Sequence, residues 1–126
     1  MFPPVYQVVS ASSPITSQIG SDPVRFYPAG EAPSKTATPY ATWQIVVGTP
    51  QNYLGRSPDI DQYTVQIDVW AETLTECRNI AEAIRDTIES ECHITAWRGE
   101  AREPGTRRYR LSFDSDWMTE RDPISS

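Results

Sequence analysis

His93 is the single histidine in the chain. A Ser–His–Asp or Cys–His relay would have to use it, with Cys92 or Cys77 as nucleophile. Cys92 is its neighbour in sequence, and neighbouring side chains on a strand point to opposite faces. No third residue is placed to orient the imidazole, and no second His or Cys stands at ligand spacing for a metal. His93 therefore reads as a strand residue without a chemical role. Carboxylates offer another route. Asp59, Asp61 and Asp68 surround one loop–strand junction, where paired acids could hold Mg²⁺ or flank a glycosidic bond. Asp59 and Asp61 equally suit turn and strand-start roles, in which Asp bonds nearby backbone amides. Asp114 and Asp116 share a strand face and could likewise pair, with surface use as the plainer explanation. Gly48 and Gly55 form neither a G-x-G-x-x-G motif nor a P-loop. Arg98, Arg102, Arg107, Arg108 and Arg110 cluster near the C-terminus. They suit an acidic partner or phosphate, or cross-strand pairing with Glu100 and Glu103. The expectation is a chain with no catalytic residue, no metal site and no cofactor.

The elements that must position these residues follow from periodicity. Val5, Val8 and Val9 recur at helical spacing, with Pro3 and Pro4 tolerable only in a first turn. Ser13-Pro14 resembles an N-cap and first helical residue, with Gly20 as the stop, so residues 1–20 form an N-terminal helical segment. Val24 to Tyr27 is a short strand candidate. Pro28 to Pro39 reads as an exposed loop. Tyr40 to Val47 alternates, with Ala41, Trp43, Ile45 and Val47 on one face. Gly48 to Ile60 lacks periodicity and reads as a long loop, a kind of segment that is often functional. Asp61 to Ala71 is the clearest strand, with Tyr63, Val65, Ile67 and Val69 on one face and Thr64, Gln66, Asp68 and Trp70 on the other.

Thr73-Leu-Thr-Glu76 fits a capping box. After it, Leu74, Cys77, Ala81, Ile84 and Ile88 make an apolar stripe on a helix ending near Glu91. Cys92 to Ala101 and Thr106 to Trp117 read as a hairpin turning at Glu103-Pro104-Gly105. The stretch from Met118 to Ser126 has no periodicity and reads as a tail. The expected fold is a single α+β domain over residues 1–126. It has a mainly antiparallel sheet of about four to five strands, one long amphipathic helix packed on one face, and a short N-terminal helix.

Composition bounds the rest. The chain has 126 residues, is 38% hydrophobic and 22% charged, and is long enough to bury its own core. Lys and Arg number 11 against 17 Asp and Glu, a net charge of −6, which disfavours binding nucleic acid through a basic face. An acidic wall would instead repel phosphates and let DNA slide past. Cys77 and Cys92 flank one helix, roughly 20 Å apart at 1.5 Å per residue, too far to bridge. The expectation is a reduced, intracellular protein without a signal peptide or membrane span. Several aromatics and arginines exceed what one core needs, and such residues anchor protein interfaces. Tyr53, Leu54 and Arg56 in the long loop, Trp70 on the polar strand face, and Arg108, Arg110 and Trp117 on the hairpin are the interface candidates.

Certain phrases resemble a known family. They are Met1-Phe-Pro-Pro-Val-Tyr-Gln-Val-Val, Arg25-Phe-Tyr-Pro-Ala-Gly-Glu-Ala-Pro, Pro39-Tyr-Ala-Thr-Trp-Gln, Pro50-Gln-Asn-Tyr-Leu, Pro58-Asp-Ile-Asp and Val65-Gln-Ile-Asp-Val-Trp-Ala. Together they are similar to the tail-completion, or tail terminator, family of long-tailed bacteriophages and prophages, from the N-terminus to about Glu89. The resemblance implies a structural virion protein assembled in the host cytoplasm. Its copies would form a ring, expected to be a hexamer, on the head-proximal end of the tail. That ring would stop tube polymerisation, meet the tail tube protein and a neck or head-completion protein, and let DNA through without specific binding. Two alternatives remain open: another neck, adaptor or tail-assembly protein, and a small metal-dependent hydrolase using Asp59, Asp61 and Asp68.

Overall fold

The computed structural model describes residues 3–20, 24–33, 36–53, 56–103 and 108–120, with the backbone alone at 47–53, 56–60 and 120. Two short helices open the chain, α1 (Val5–Ser10) and α2 (Ser13–Ile19). Ser12, rather than Ser13, takes the N-cap position of α2, and Gly20 ends it at φ 91°, a left-handed conformation that glycine adopts without steric cost. Three strands follow: β1 (Phe26–Pro28), β2 (Tyr40–Tyr53) and β3 (Arg56–Ala71). Helix α3 (Leu74–Ile88) precedes the terminal pair, β4 (His93–Arg102) and β5 (Tyr109–Glu120).

The five strands form one sheet in the order β1-β2-β3-β5-β4. It is mixed rather than wholly antiparallel, because β1 runs parallel to β2. A parallel neighbour needs a connection of about a dozen residues, and the proline-rich segment between Pro28 and Tyr40 supplies it. The other three pairings are antiparallel. β5 inserts between β3 and β4, leaving β4 at the edge.

Two sequence expectations are corrected at the strand ends. The long loop over residues 48–60 is instead the outer part of a hairpin, in which β2 has 14 residues and β3 has 16, paired as far as Tyr53 opposite Arg56. Register shifts interrupt its alternation between Ile45 and Val47 and again between Gln51 and Tyr53. A bulge moves every following residue out of period, so a real strand there reads as aperiodic. The tail assignment also fails at its start, although no bulge interrupts the pairing there. Met118, Thr119 and Glu120 continue β5, held opposite Gln62, Asp61 and Ile60. Residues 121–126 lie outside the described residues, as do residues 104–107 of the expected turn. The β4–β5 hairpin closes with the Glu103 amide donating to the Arg108 carbonyl at 2.8 Å.

The helices gather on one face of the sheet. Thr73 caps α3 by accepting the Glu76 amide at 3.1 Å, which satisfies one orphan N–H of the first turn. α3 has 15 residues and buries Cys77, Ile80, Ala81, Ile84 and Ile88. These pack with Val65, Ile67 and Val69 of β3, with Leu111, Phe113 and Trp117 of β5, and with Val5, Val9, Ile15 and Ile19 of α1 and α2. Trp117 corrects an expectation. It is 1% exposed, so it has no surface to offer a neighbour, and its indole N–H donates to Ser115 Oγ at 2.9 Å. Ser115 Oγ in turn donates to the Val65 carbonyl at 3.2 Å. Ser115→Ala strands the indole N–H inside the core, where a lost partner costs about 1–3 kcal/mol. Urea denaturation should show that loss without a change in slope.

A candidate assembly surface

The residues proposed for chemistry are scattered by the fold. Asp61 shares its strand parity with Val65, Ile67 and Val69, whereas Asp68 belongs to the opposite parity. The two acids therefore project from opposite sheet faces, separated by seven residues, roughly 23 Å at 3.3 Å per residue. A hydrolase site built on Asp59, Asp61 and Asp68 has no common space, and the Asp59 side chain lies outside the described residues. Asp114 and Asp116 do share a face, but each already has partners. Arg98 Nε donates to both oxygens of Asp114 at 2.8 Å. Gln62 and Thr64 donate to Asp116 at 3.1 and 2.8 Å.

His93 is exposed while Cys92 is buried, so no Cys–His relay forms between them. Burial pushes the Cys77 thiol up to about 11 and the Cys92 thiol up to about 12, the reverse of what a nucleophile needs. Both should resist alkylation in the folded protein near pH 8 and react once it is unfolded in urea. Equal labelling rates in the two states would contradict this burial. The sign of the linkage is also fixed. In the unfolded chain the thiols return to their ordinary value of 9.0. Their contribution to stability is thus complete below about pH 9 and is lost as pH rises toward the folded values. A thermal melt series should hold level to about pH 8.5 and decline above pH 9.

The sheet face turned away from the helices is polar and largely satisfied within the subunit. Across it, Thr42, Asp68 and Ser112 stand in register, followed by Gln44, Gln66 and Asp114, then Thr64 and Asp116. Ser112 and Gln66 both donate to Asp68. Although no helix covers this face, Thr42, Asp68, Ser112 and Asp114 are buried beneath their neighbours. Strands that put Thr, Gln, Ser and Asp at every second position make the described part of this face mainly polar.

Trp70 interrupts this polar face, and its surroundings explain it. Its ring stacks on Tyr40 at 5.0 Å and 13°, and its indole N–H donates to Glu103 at 3.1 Å. Arg108 lies over the Tyr40 ring at 5.7 Å and donates to the Thr36 carbonyl at 3.3 Å. Trp70 and Arg108 therefore belong to one cluster that closes the sheet end, while Arg110, opposite Trp70 in register, is exposed. The cross-strand pairing expected for the arginines takes other partners: Arg78 of α3 claims Glu100 at 2.6 and 2.9 Å, and Arg98 claims Asp114. Arg107 and Leu54 lie outside the described residues. Tyr53 and Arg56 are described only as the last backbone pair of the β2–β3 hairpin.

Among the described residues, that hairpin extends past the end of β5. β5 accompanies β3 only as far as Ile60, paired with Glu120, so among the described residues Arg56 to Asp59 have β2 as their sole strand partner. The arm reaches roughly 13 Å past that last pairing, at 3.3 Å per residue. Periodicity did not single out Val46 and Met118 as surface residues, yet they are 39% and 62% exposed. Its parity with Thr42 and Gln44 was the signal available for Val46, and nothing in the sequence pattern marked Met118. Trp97, in the middle of edge strand β4 opposite Phe113, is 49% exposed.

A family model described as Tail completion protein gp17 matches residues 3–120, from α1 through the end of β5. The chain belongs to the tail completion protein gp17 family. It is accordingly a phage tail structural protein. The fold has a counterpart in a chain from the solved "Virion of native gene transfer agent (GTA) particle", with a TM-score of 0.70. The two are 13% identical, and the match covers 93% of this chain and 92% of the other. Identity that low speaks to the fold alone. No curated protein sequence matches the chain. Among the described residues, no helix is long and apolar enough to cross a membrane.

Proposed function

We propose that this tail completion protein is a terminator subunit. Its copies form a ring, taken to be a hexamer, on the head-proximal end of the tail tube. The ring stops tube polymerisation and presents its far side to a neck or head-completion protein. DNA passes through it without specific binding. The observation that carries this reading is the family match across residues 3–120, which spans every element of the fold.

Other features support it. Among the described residues, the carboxylates are scattered and burial raises both thiols, which fits a protein that acts through its surfaces. The hydrogen-bonded polar sheet face suits a wall past which a polyanion slides, since its acids hold local partners and, among the described residues, it carries no dense basic patch. The projecting β2–β3 hairpin suits contact with a neighbouring subunit or the tube.

The test is electron microscopy of particles produced without this chain. Overlong tails, or complete tails lacking heads, are the expected result. Normal virions would reject the role, and heads with intact necks but no tails would point to a different tail-assembly step.

A further inference from the structure

The two ends of α3 open onto grooves of opposite charge. At its N-terminal end a groove of about 680 Å³ has Arg102 and Arg108 against one carboxylate, Glu72, in its described lining, with Leu74 and Tyr109 as apolar members. At its C-terminal end a groove of about 260 Å³ is lined by Glu89, Glu91 and Asp116, with Met118 beside them and no arginine or lysine in its described lining. Some of these charges have partners within the subunit. Arg85 approaches Glu89 at 3.8 Å, Asp116 accepts from Gln62 and Thr64, and Arg108 donates to Thr36. Arg102 and Glu91 are exposed, the former lying over the Tyr109 ring at 5.8 Å. The helix between the grooves has 15 residues, so they lie roughly 22 Å apart.

We infer that the acidic groove of one copy docks on the basic groove of the next, with Glu91 facing Arg102 and Met118 seated against Leu74 and Tyr109. Charge complementarity identifies the occupant as a second copy of this chain. The chain is acidic overall, at −6, so a basic groove is the place where another acidic copy is not repelled. Pairing either groove with its own equivalent would set arginine on arginine or carboxylate on carboxylate. A head-to-tail contact avoids this, and head-to-tail contacts are what close into rings. Exposed ion pairs are weak singly and screened by salt. Free copies thus have little tendency to associate in solution, and the contact becomes effective where the tail tube gathers them. The inference rests on the ring reading and adds the surfaces that form it.

The test uses particles produced without the native copy and supplied with wild type, R102E, E91R, or both variants together. R102Q separates charge from the packing of Arg102 on Tyr109. Both residues are exposed, so the purified variants should melt like wild type. Each reversal alone should lower incorporation into particles by about tenfold or more, because a ring repeats the same weak loss at every contact, and R102Q by less than R102E. Supplying R102E with E91R should restore incorporation, since each variant then offers its neighbour an opposite charge. The inference is overturned if the reversals incorporate like wild type, or if both fail together as they do singly. Counting wild-type copies per particle separates the two claims. Several copies with no response to charge reversal leave the ring standing and remove these grooves from it, whereas a single copy removes the ring itself.

Discussion

Trp117→Ala is expected to lower the free energy of unfolding by about 3–5 kcal/mol, a large share of the 5–15 kcal/mol typical of a domain. Trp117 is the largest of the fully buried side chains, and it lies among the apolar residues between sheet and helices. Its truncation opens a cavity that a closely packed interior fills only in part. It also removes the indole that donates to Ser115 Oγ. Ser115 keeps its bond to the Val65 carbonyl, so the cost is chiefly one of volume. Denaturation followed by near-ultraviolet circular dichroism should show the midpoint falling at an unchanged slope. A loss below about 1 kcal/mol would mean that Trp117 sits at a surface, as its sequence position first suggests.

Shortening the β2–β3 hairpin should have the opposite profile. Excising residues 52–59 and closing the strands with an Asn-Gly turn removes ladder beyond the last contact with β5, at Ile60 opposite Glu120. Every residue of the core cluster remains. Stability should stay within about 0.5 kcal/mol, as for surface changes generally. Infectious particles should fall at least about thirtyfold, the equivalent of losing one interface anchor worth ~2 kcal/mol. Wild-type titre from the shortened protein would remove the arm from the assembly surface. A collapse in melting temperature would show that it serves folding instead.

The sequence foretold best where a single period runs unbroken. Val65, Ile67 and Val69 alternate cleanly, and all are buried as expected. Thr73 and Glu76 meet as their spacing requires. Legibility stops at irregularities. A bulge near Val46 and another near the hairpin end disguise strand as loop, and the Met118–Glu120 extension of β5 is recognisable only from its partner β3. Pairing order is likewise a long-range property. Nothing local says that β5 lies between β3 and β4, or that β1 runs parallel to β2.

The candidate surface was legible only in part, for a related reason. Trp70 and Trp117 look alike in sequence, as aromatics out of place for a simple core. Strand parity and the cover above each decide that Trp117 is interior and Trp70 is held by Tyr40 and Glu103. The grooves at the ends of α3 join residues from its flanks with residues of β4 and β5. No spacing within one segment could have shown them.

The central claim is a place as well as a role, so locating the chain on the finished particle tests it most directly. A tagged copy that supports normal titre can be imaged on intact virions with a gold-conjugated antibody. The expected result is label at one position, the junction where the tail meets the head, with several copies per particle. Label distributed along the tube or gathered at the distal tip would contradict the account.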